Sequence, residues 1–272
     1  KKDIFTNLLV YILEKVMELS NISGIKDNKS YNGFRYNCFT KNFLNNSLVN
    51  NLNKPVIDYI LIAGKKNIDS FEMSKSCVTN LQFQYFVDKG GYFKEIYWSK
   101  EGKMWRYYNN LRCPKNWKNV DGVWYINNEK LELFNDLPVE QISYYEAEAC
   151  AKFYSGRLPT EKEWIFVSSN RNLTLNPYGL YNPCKLDLSS DCDNIMNVDF
   201  GVTSLLGFNQ LYGNVWEYTS DIRNSEEGIE VCLKGGDSNT PEFIMNNNLK
   251  LFLSKDTTGL QTGFRIIKSK LY

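Results

Sequence analysis

The sequence predicts an α+β chain of short strands, few helices and long loops, and three observations lead there. Hydroxyl or amide residues stand ahead of three short helix-forming stretches, at Thr79 or Asn80, at Ser143 and at Thr160. A side-chain oxygen there takes an unpaired N–H of the first helical turn. Apolar runs with strand character are brief, as in Val56-Ile57-Asp58-Tyr59-Ile60-Leu61-Ile62 and again from Asp69 to Met73. Glycine-bearing blocks then stand in fixed order through the second half: Gly156-Arg157-Leu158-Pro159-Thr160-Glu161-Lys162-Glu163-Trp164, Gly213-Asn214-Val215-Trp216-Glu217-Tyr218-Thr219-Ser220-Asp221, Lys234-Gly235-Gly236 and Gly263-Phe264-Arg265.

In chain order, residues 3–20 read as a helix. Ile4, Leu8, Ile12, Val16 and Leu19, flanked by Leu9, Leu13 and Met17, recur at helical spacing and give a wide apolar face. Residues 21–54 are rich in Asn, Ser, Gly and Lys and read as an irregular connector. Tyr31, Phe34, Tyr36, Phe39 and Phe43 suggest that it is pinned to a surface. These segments form an N-terminal extension, 1–54, ahead of a domain over 55–272. After the two strands, a helix runs to about Lys89 and is closed by Gly90-Gly91. A second runs from Ser143 through about Tyr154 and is closed by Gly156, with Glu146 completing a capping box. A third, short helix follows Thr160, with Glu163 as its box partner. The remainder reads as short strands and long loops, without internal repeats.

Composition narrows the functional classes. The 272 residues are 43% hydrophobic and 15% aromatic, enough for a sizeable core. With 32 basic and 31 acidic residues the net charge is +1, so a general polyanion-binding surface is not indicated, although a local patch is compatible. Seven cysteines, at 38, 77, 113, 150, 184, 192 and 232, include no Cys-x-x-Cys pair. Cys184 and Cys192 flank a loop and could pair, but free thiols in an intracellular, reducing compartment are the favoured reading. No apolar run reaches the ~18 residues of a membrane span. No signal peptide is legible at Lys1-Lys2, and the missing Met leaves room for an organellar presequence removed upstream.

The blocks, with Phe71-Glu72-Met73 through Val78-Thr79-Asn80 upstream, resemble the sulfatase-modifying-factor (formylglycine-generating enzyme) family, whose fold is a variant of the C-type lectin fold. Further motifs narrow the likeness. Gly90-Gly91-Tyr92, Trp98-Ser99-Lys100-Glu101-Gly102, Pro114-Lys115-Asn116-Trp117, Gly122-Val123-Trp124-Tyr125, Pro138-Val139 and Ser143-Tyr144-Tyr145-Glu146-Ala147 look most like the ergothioneine and ovothiol sulfoxide synthases, a branch with non-haem iron. The likeness covers roughly 55–268, specific in its motifs and loose between them.

The resemblance implies chemistry that the residues do not repeat. The iron-dependent branch holds its metal with three histidines, and this sequence contains none. Carboxylates alone are poor substitutes where an iron site must stay open to oxygen. That branch anchors its thiol substrate through an Asn-Trp-Asp stretch and a following Arg. Counted back from Gly263-Phe264-Arg265, those positions hold Leu251, Phe252, Leu253 and Thr257. The formylglycine-generating branch uses two cysteines after its Gly-Gly to bind copper and substrate thiol, where Thr240 and Met245 stand. Cys232 precedes the Gly-Gly and reads as a buried strand thiol. The resemblance also implies a structural calcium held by Asn214, the Val215 carbonyl and Glu217, with Asn194-Ile195 as part of a second site. The alternative is that Asn214 and Glu217 bond only to backbone. Arg157 reads as bonded to a carboxylate or to carbonyls, and Trp164 as core. Glu146 with Glu148, or Glu161 with Glu163, could form acid–base pairs, but capping is the better use of Glu146 and Glu163.

The sequence therefore predicts an inactive family member retained as a binding or scaffold module, a subunit of a larger assembly, without cofactor beyond the calcium. Protein partners are expected through residues 3–20 and the aromatic connector, with RNA contact left open. One alternative is an oxidoreductase whose metal site a partner completes. Another is a lectin-like binder of a small ligand or glycan, with Trp98, Trp105, Tyr107 and Tyr108 lining its groove.

Overall fold

The computed structural model describes residues 54–65, 67–169, 195–201, 203–226, 228–241 and 244–269. The expected helix over 3–20, the connector up to 53, Asn194, and the pair Cys184 and Cys192 lie outside them. The chain divides into the units Lys1–Asn51 and Leu52–Tyr272, and every described residue belongs to the second.

Strand β1 (Tyr59–Ile62) pairs antiparallel with β2 (Phe71–Ser74), which also pairs with the last strand, β10 (Ile267–Ser269). The start and end of the domain are thereby stitched into one sheet. Helix α1 (Asn80–Asp88) follows, then α2 (Lys100–Tyr108). A small antiparallel sheet comprises β3 (Trp117–Val120), β4 (Val123–Ile126) and β5 (Glu129–Lys130). Helices α3 (Tyr144–Phe153) and α4 (Glu161–Ser168) lead to a four-stranded sheet of order β8-β7-β6-β9. Its strands are β6 (Trp216–Ser225), β7 (Gly228–Lys234), β8 (Lys250–Ser254) and β9 (Thr262–Phe264), with β6 and β9 parallel.

The helix starts follow the predicted capping logic. Thr79, Ser143 and Thr160 each accept the N–H three residues on, and Gln82, Glu146 and Glu163 each return a side-chain oxygen to the cap N–H. Helix α1 ends at Asp88 with Lys89 as its C-terminal cap, close to the expected end, and Gly90 follows in the left-handed region at φ 76°. Helix α3 departs from expectation, because the residue that turns left-handed after it is Ser155 (φ 61°), not Gly156. Gly156 is needed for a different reason: a Cβ there would meet Ile266 Cγ2 at 2.4 Å and the Ile267 carbonyl at 2.6 Å. Helix α2 was not legible in advance, although Ser99 accepts from Gly102 N–H and so caps it.

Two apolar clusters form the core. The larger joins α1 and α3 to the inner faces of β6 and β7 through Phe83, Phe86, Tyr92, Ala147, Cys150, Tyr218 and Leu233. The smaller gathers Phe71, Met73, Trp164, Phe208, Leu211 and Ile267. Among the described residues, no helix is long and apolar enough to cross a membrane.

Candidate functional site

The second and fourth blocks meet on the parallel pair β6–β9, in a register that sets Glu217 opposite Gly263 and Tyr218 opposite Phe264. Arg265, just beyond β9, is completely buried, and Glu217 is 1% exposed. Arg265 Nε donates to both Glu217 oxygens at 2.9 Å. Its two terminal nitrogens donate to the carbonyls of Lys75 at 2.6 Å, Asn209 at 2.5 Å and, more weakly, Ser74 and Gln210. Trp164 Nε1 from the first block donates to Glu217 Oε2 at 2.8 Å, and Cys77 Sγ donates to Oε1 at 3.3 Å. One carboxylate thus joins the first, second and fourth blocks to the segment after β2. A buried charge needs this degree of pairing, since removing one partner leaves the other without solvation.

The other block residues are similarly committed. Arg157 forms a two-point ion pair with Glu163, at 2.8 and 2.6 Å, and donates to the Leu158 carbonyl. Burial opposes ionisation of Glu163, but the bonds from Arg157 and Thr160 outweigh it and hold the carboxyl below its ordinary range. Lys234, ahead of Gly235-Gly236, is fully buried; it donates to the Asn247 carbonyl at 2.7 Å and reaches Glu161 at 3.5 Å. Burial pulls its pKa down, against the attraction of Glu161. Gly235 is left-handed at φ 95°, and a Cβ would stand 2.8 Å from the Leu211 carbonyl.

Neither proposed acid–base pair is assembled for catalysis. Glu146 is buried and accepts from Tyr92 Oη at 2.5 Å and from Ser143 N and Oγ at 2.7 and 2.8 Å. Burial raises its pKa despite those bonds. Glu148 is in an ion pair with Lys152, while Glu161 receives Lys250 at 3.1 Å.

The two side chains expected for calcium, Asn214 and Glu217, are engaged within the protein. Asn214, left-handed at φ 67°, uses its Oδ1 to accept the Met196 N–H at 2.8 Å. Its amide donates to the Met196 carbonyl and to Gln210 Oε1. Glu217 is occupied by Arg265, and Val215 is buried beside them. Asn214 therefore clasps residue 196, and a cation at Glu217 would face a guanidinium. Of the second set, Ile195 is half-buried, and Asn194 lies outside the described residues.

The positions at which the family's reactive groups were expected hold strand and turn residues. Thr240 Oγ1 donates to Asp237 Oδ1 at 2.7 Å and accepts the Asp237 N–H, closing a tight turn. Met245 is half-buried nearby. Leu251, Phe252 and Leu253 lie in β8, opposite Leu233, Cys232 and Val231 of β7. Leu251 and Leu253 pack on the larger core, while Phe252 lies under the Arg223 guanidinium, 3.7 Å from its ring centre. Thr257 N–H closes a turn onto the Ser254 carbonyl. Cys232 is a buried strand thiol as expected; burial, reinforced by Glu161, pushes its pKa up to about 11. Cys77, Cys113 and Cys150 are also raised, each chiefly by burial, so every described cysteine favours the unreactive thiol.

The expected aromatic groove does not assemble. Trp98 and Trp105 are core residues, whereas Tyr107 and Tyr108 stand in solvent. A cavity of about 150 Å³ opens elsewhere, lined by Asp58, Lys75, Ser76, Cys77, Asp199 and Asn209 among others. It is smaller than the ~300–1,000 Å³ usual for small-molecule pockets. The sequence left unread how closely Glu217, Arg265, Trp164 and Cys77 converge. The only available signal was that Glu and Arg stand at equivalent ends of two apolar strand motifs.

The chain is similar to the hercynine oxygenase of Mycolicibacterium thermoresistibile, 30% identical over 162 residues, covering 57% of this chain and 36% of that protein. It is 32% identical over 165 residues to the hercynine oxygenase of Mycolicibacterium smegmatis, covering 57% of this chain and 38% of that protein. The matches thus span little more than a third of those relatives' length. The crystal structure of CarF shares the fold, with a TM-score of 0.52 at 13% identity, over 78% of this chain and 98% of that one. Residues 53–170 and 166–270 match the sulfatase-modifying factor enzyme 1-like domain, and the chain belongs to that family, with its lectin-like α+β fold.

Proposed function

We propose that this chain is a family domain that supplies no metal or redox chemistry of its own and works as a binding or scaffold module. The observation that carries the reading is the condition of its would-be reactive groups. The sequence has no imidazole, and each described thiol is held protonated by burial. Thiolate and imidazole are the ligands that copper and oxygen-activating iron need. The packing of Leu251 and Leu253 into the core supports the same reading, since a polar substrate anchor cannot be formed there without unpacking β8. The calcium expectation does not carry over into this proposal, because Asn214 and Glu217 are bonded within the protein. The test is elemental analysis of the full chain after incubation with ferrous and cuprous ions and gel filtration. Less than a tenth of an equivalent of either metal is expected, and a stoichiometric metal contradicts the proposal.

A second reading has one observation in its favour, the similarity to hercynine oxygenases over about a third of their length. In that reading the chain is the family-domain part of an oxidoreductase, and the metal-binding histidines come from outside these 272 residues. Affinity purification from the native cell, with metal analysis of the recovered complex, separates the two. A complex retaining iron on a histidine-bearing partner favours the second reading.

A further inference from the structure

We infer that the surface formed by residues 93–118 is a docking site for single-stranded nucleic acid. This inference is independent of whether the family site is active. Over these 26 residues stand seven basic side chains, Lys94, Lys100, Lys103, Arg106, Arg112, Lys115 and Lys118, against two acidic ones, Glu95 and Glu101. The whole chain carries a net charge of +1, so this segment concentrates positive charge that the rest of the sequence offsets. Such local concentration is the electrostatic footprint of a polyanion partner.

The structure places these charges among exposed rings. Helix α2 buries Gly102 and Trp105, so the spacing of Lys100, Lys103, Met104 and Tyr107 puts all four on its outer side. Tyr107 is 80% and Tyr108 76% exposed, with their rings edge-on at 6.0 Å. The Lys103–Glu95 ion pair, at 3.3 Å, brings the turn before the helix alongside, where Ile96 is 82% exposed. Arg106 is spent on the face of Trp98, 5.2 Å from its ring centre. Among the described residues, Lys94, Lys100, Arg112 and Lys115 are exposed and in no ion pair.

The small sheet that follows adds less, because its cations are engaged. Its register aligns Lys118, Tyr125 and Lys130 across three strands, but Lys118 Nζ donates to Asn128 Oδ1 at 2.7 Å and Lys130 pairs with Glu132 at 3.8 Å. Val120 and Val123 share that exposed face. An acidic peptide would use the lysines but leave the rings in water. A single-stranded nucleic acid uses both, with phosphates on the cations and bases on the ring faces.

The test is fluorescence anisotropy of the full chain with a labelled single-stranded oligouridylate, titrated between about 50 and about 200 mM salt. Lys94→Gln/Lys100→Gln/Lys115→Gln should weaken binding and lower the salt slope by roughly two, at ~0.7 per phosphate contact on a single strand. Tyr107→Ala/Tyr108→Ala should weaken binding about tenfold or more with little change in slope, as loss of base stacking does. Tyr107→Phe/Tyr108→Phe keeps both ring faces and should bind as the parent. All these positions are exposed, and circular dichroism verifies that each variant is folded. Absence of binding by the parent chain at low salt overturns the inference. So does equal binding by the double-alanine variant, or equal competition by base-free polyphosphate, either of which would mean adhesion to charge alone.

Discussion

The interior junction of the blocks and the β8 segment at the other edge of the same sheet differ in how closely their side chains must match. At the junction Glu217, Arg265, Trp164 and Cys77 form one closed set, in which each donor has an acceptor and the ion pair is shielded from water. In the β8 segment and the turn before it, Leu251, Leu253 and Thr240 make ordinary core and turn contacts. The difference teaches that the recognisable blocks specify a backbone arrangement. Burying a guanidinium and a carboxylate together is tolerable only when geometry is nearly fixed, so these residues dictate how three distant segments meet. A strand that needs only apolar packing accepts many side chains, and its chemistry can change without loss of the fold.

The largest effect should come from breaking the junction. Glu217→Ala leaves the Arg265 charge buried and should cost about 3–5 kcal/mol in urea unfolding. Glu217→Ala combined with Arg265→Leu should recover part of that loss. A cost under about 1 kcal/mol for the single variant would remove the junction from the account. Next, Ser143→Ala and Thr160→Ala each remove a helix cap and should cost about 1 kcal/mol.

The two capping boxes that use glutamate also sharpen the comparison through pH. Glu163, beside Arg157, has a lowered folded pKa. Its contribution is present above the ordinary carboxylate value and is lost as pH falls through the folded value. Glu146, buried beneath Tyr92, has a raised folded pKa. Between the ordinary and the raised value the folded protein keeps a proton that the unfolded chain releases, so stability falls as pH rises through that window. Relative to Glu146→Gln, the parent should therefore gain stability on mild acidification. Relative to Glu163→Gln it should lose stability at lower pH. Urea midpoints across acid pH measure both, and parallel curves would refute the assignment. The smallest effect is expected in the β8 segment. Phe252→Ala forfeits the half-exposed contact with Arg223 and should cost about 0.5 kcal/mol.

Much of the fold was legible because its signals are local. The caps depend on residues three apart: Ser143 and Thr160 cap as read, and of the two candidates for the first helix Thr79 is the cap. Family membership was legible for the same reason, through short blocks with fixed internal spacing. Helix α2 escaped because its apolar side is narrow, just Gly102 and Trp105 facing inward, and much of its outer side is charged. The closure of α3 was misassigned because Ser155 takes the left-handed turn expected of Gly156, whose small size serves a close approach to Ile266 and Ile267. The site was less legible, since its meaning depends on which buried groups meet across the chain. Asn214 and Glu217 lie three residues apart and read either as partners of one cation or as bonded only to backbone. The backbone reading fails for Glu217, which is bonded to the side chains of Arg265, Trp164 and Cys77. In the structure they serve separate networks, one around Met196 and one around Arg265.

The central claim is that this chain carries the family's frame without its oxygen chemistry. The most direct measurement is oxygen uptake by the purified full chain supplied with ferrous ion, hercynine and a thiol. The account predicts uptake no faster than the protein-free control. Protein-dependent oxygen consumption with formation of a sulfur-bearing product would contradict it.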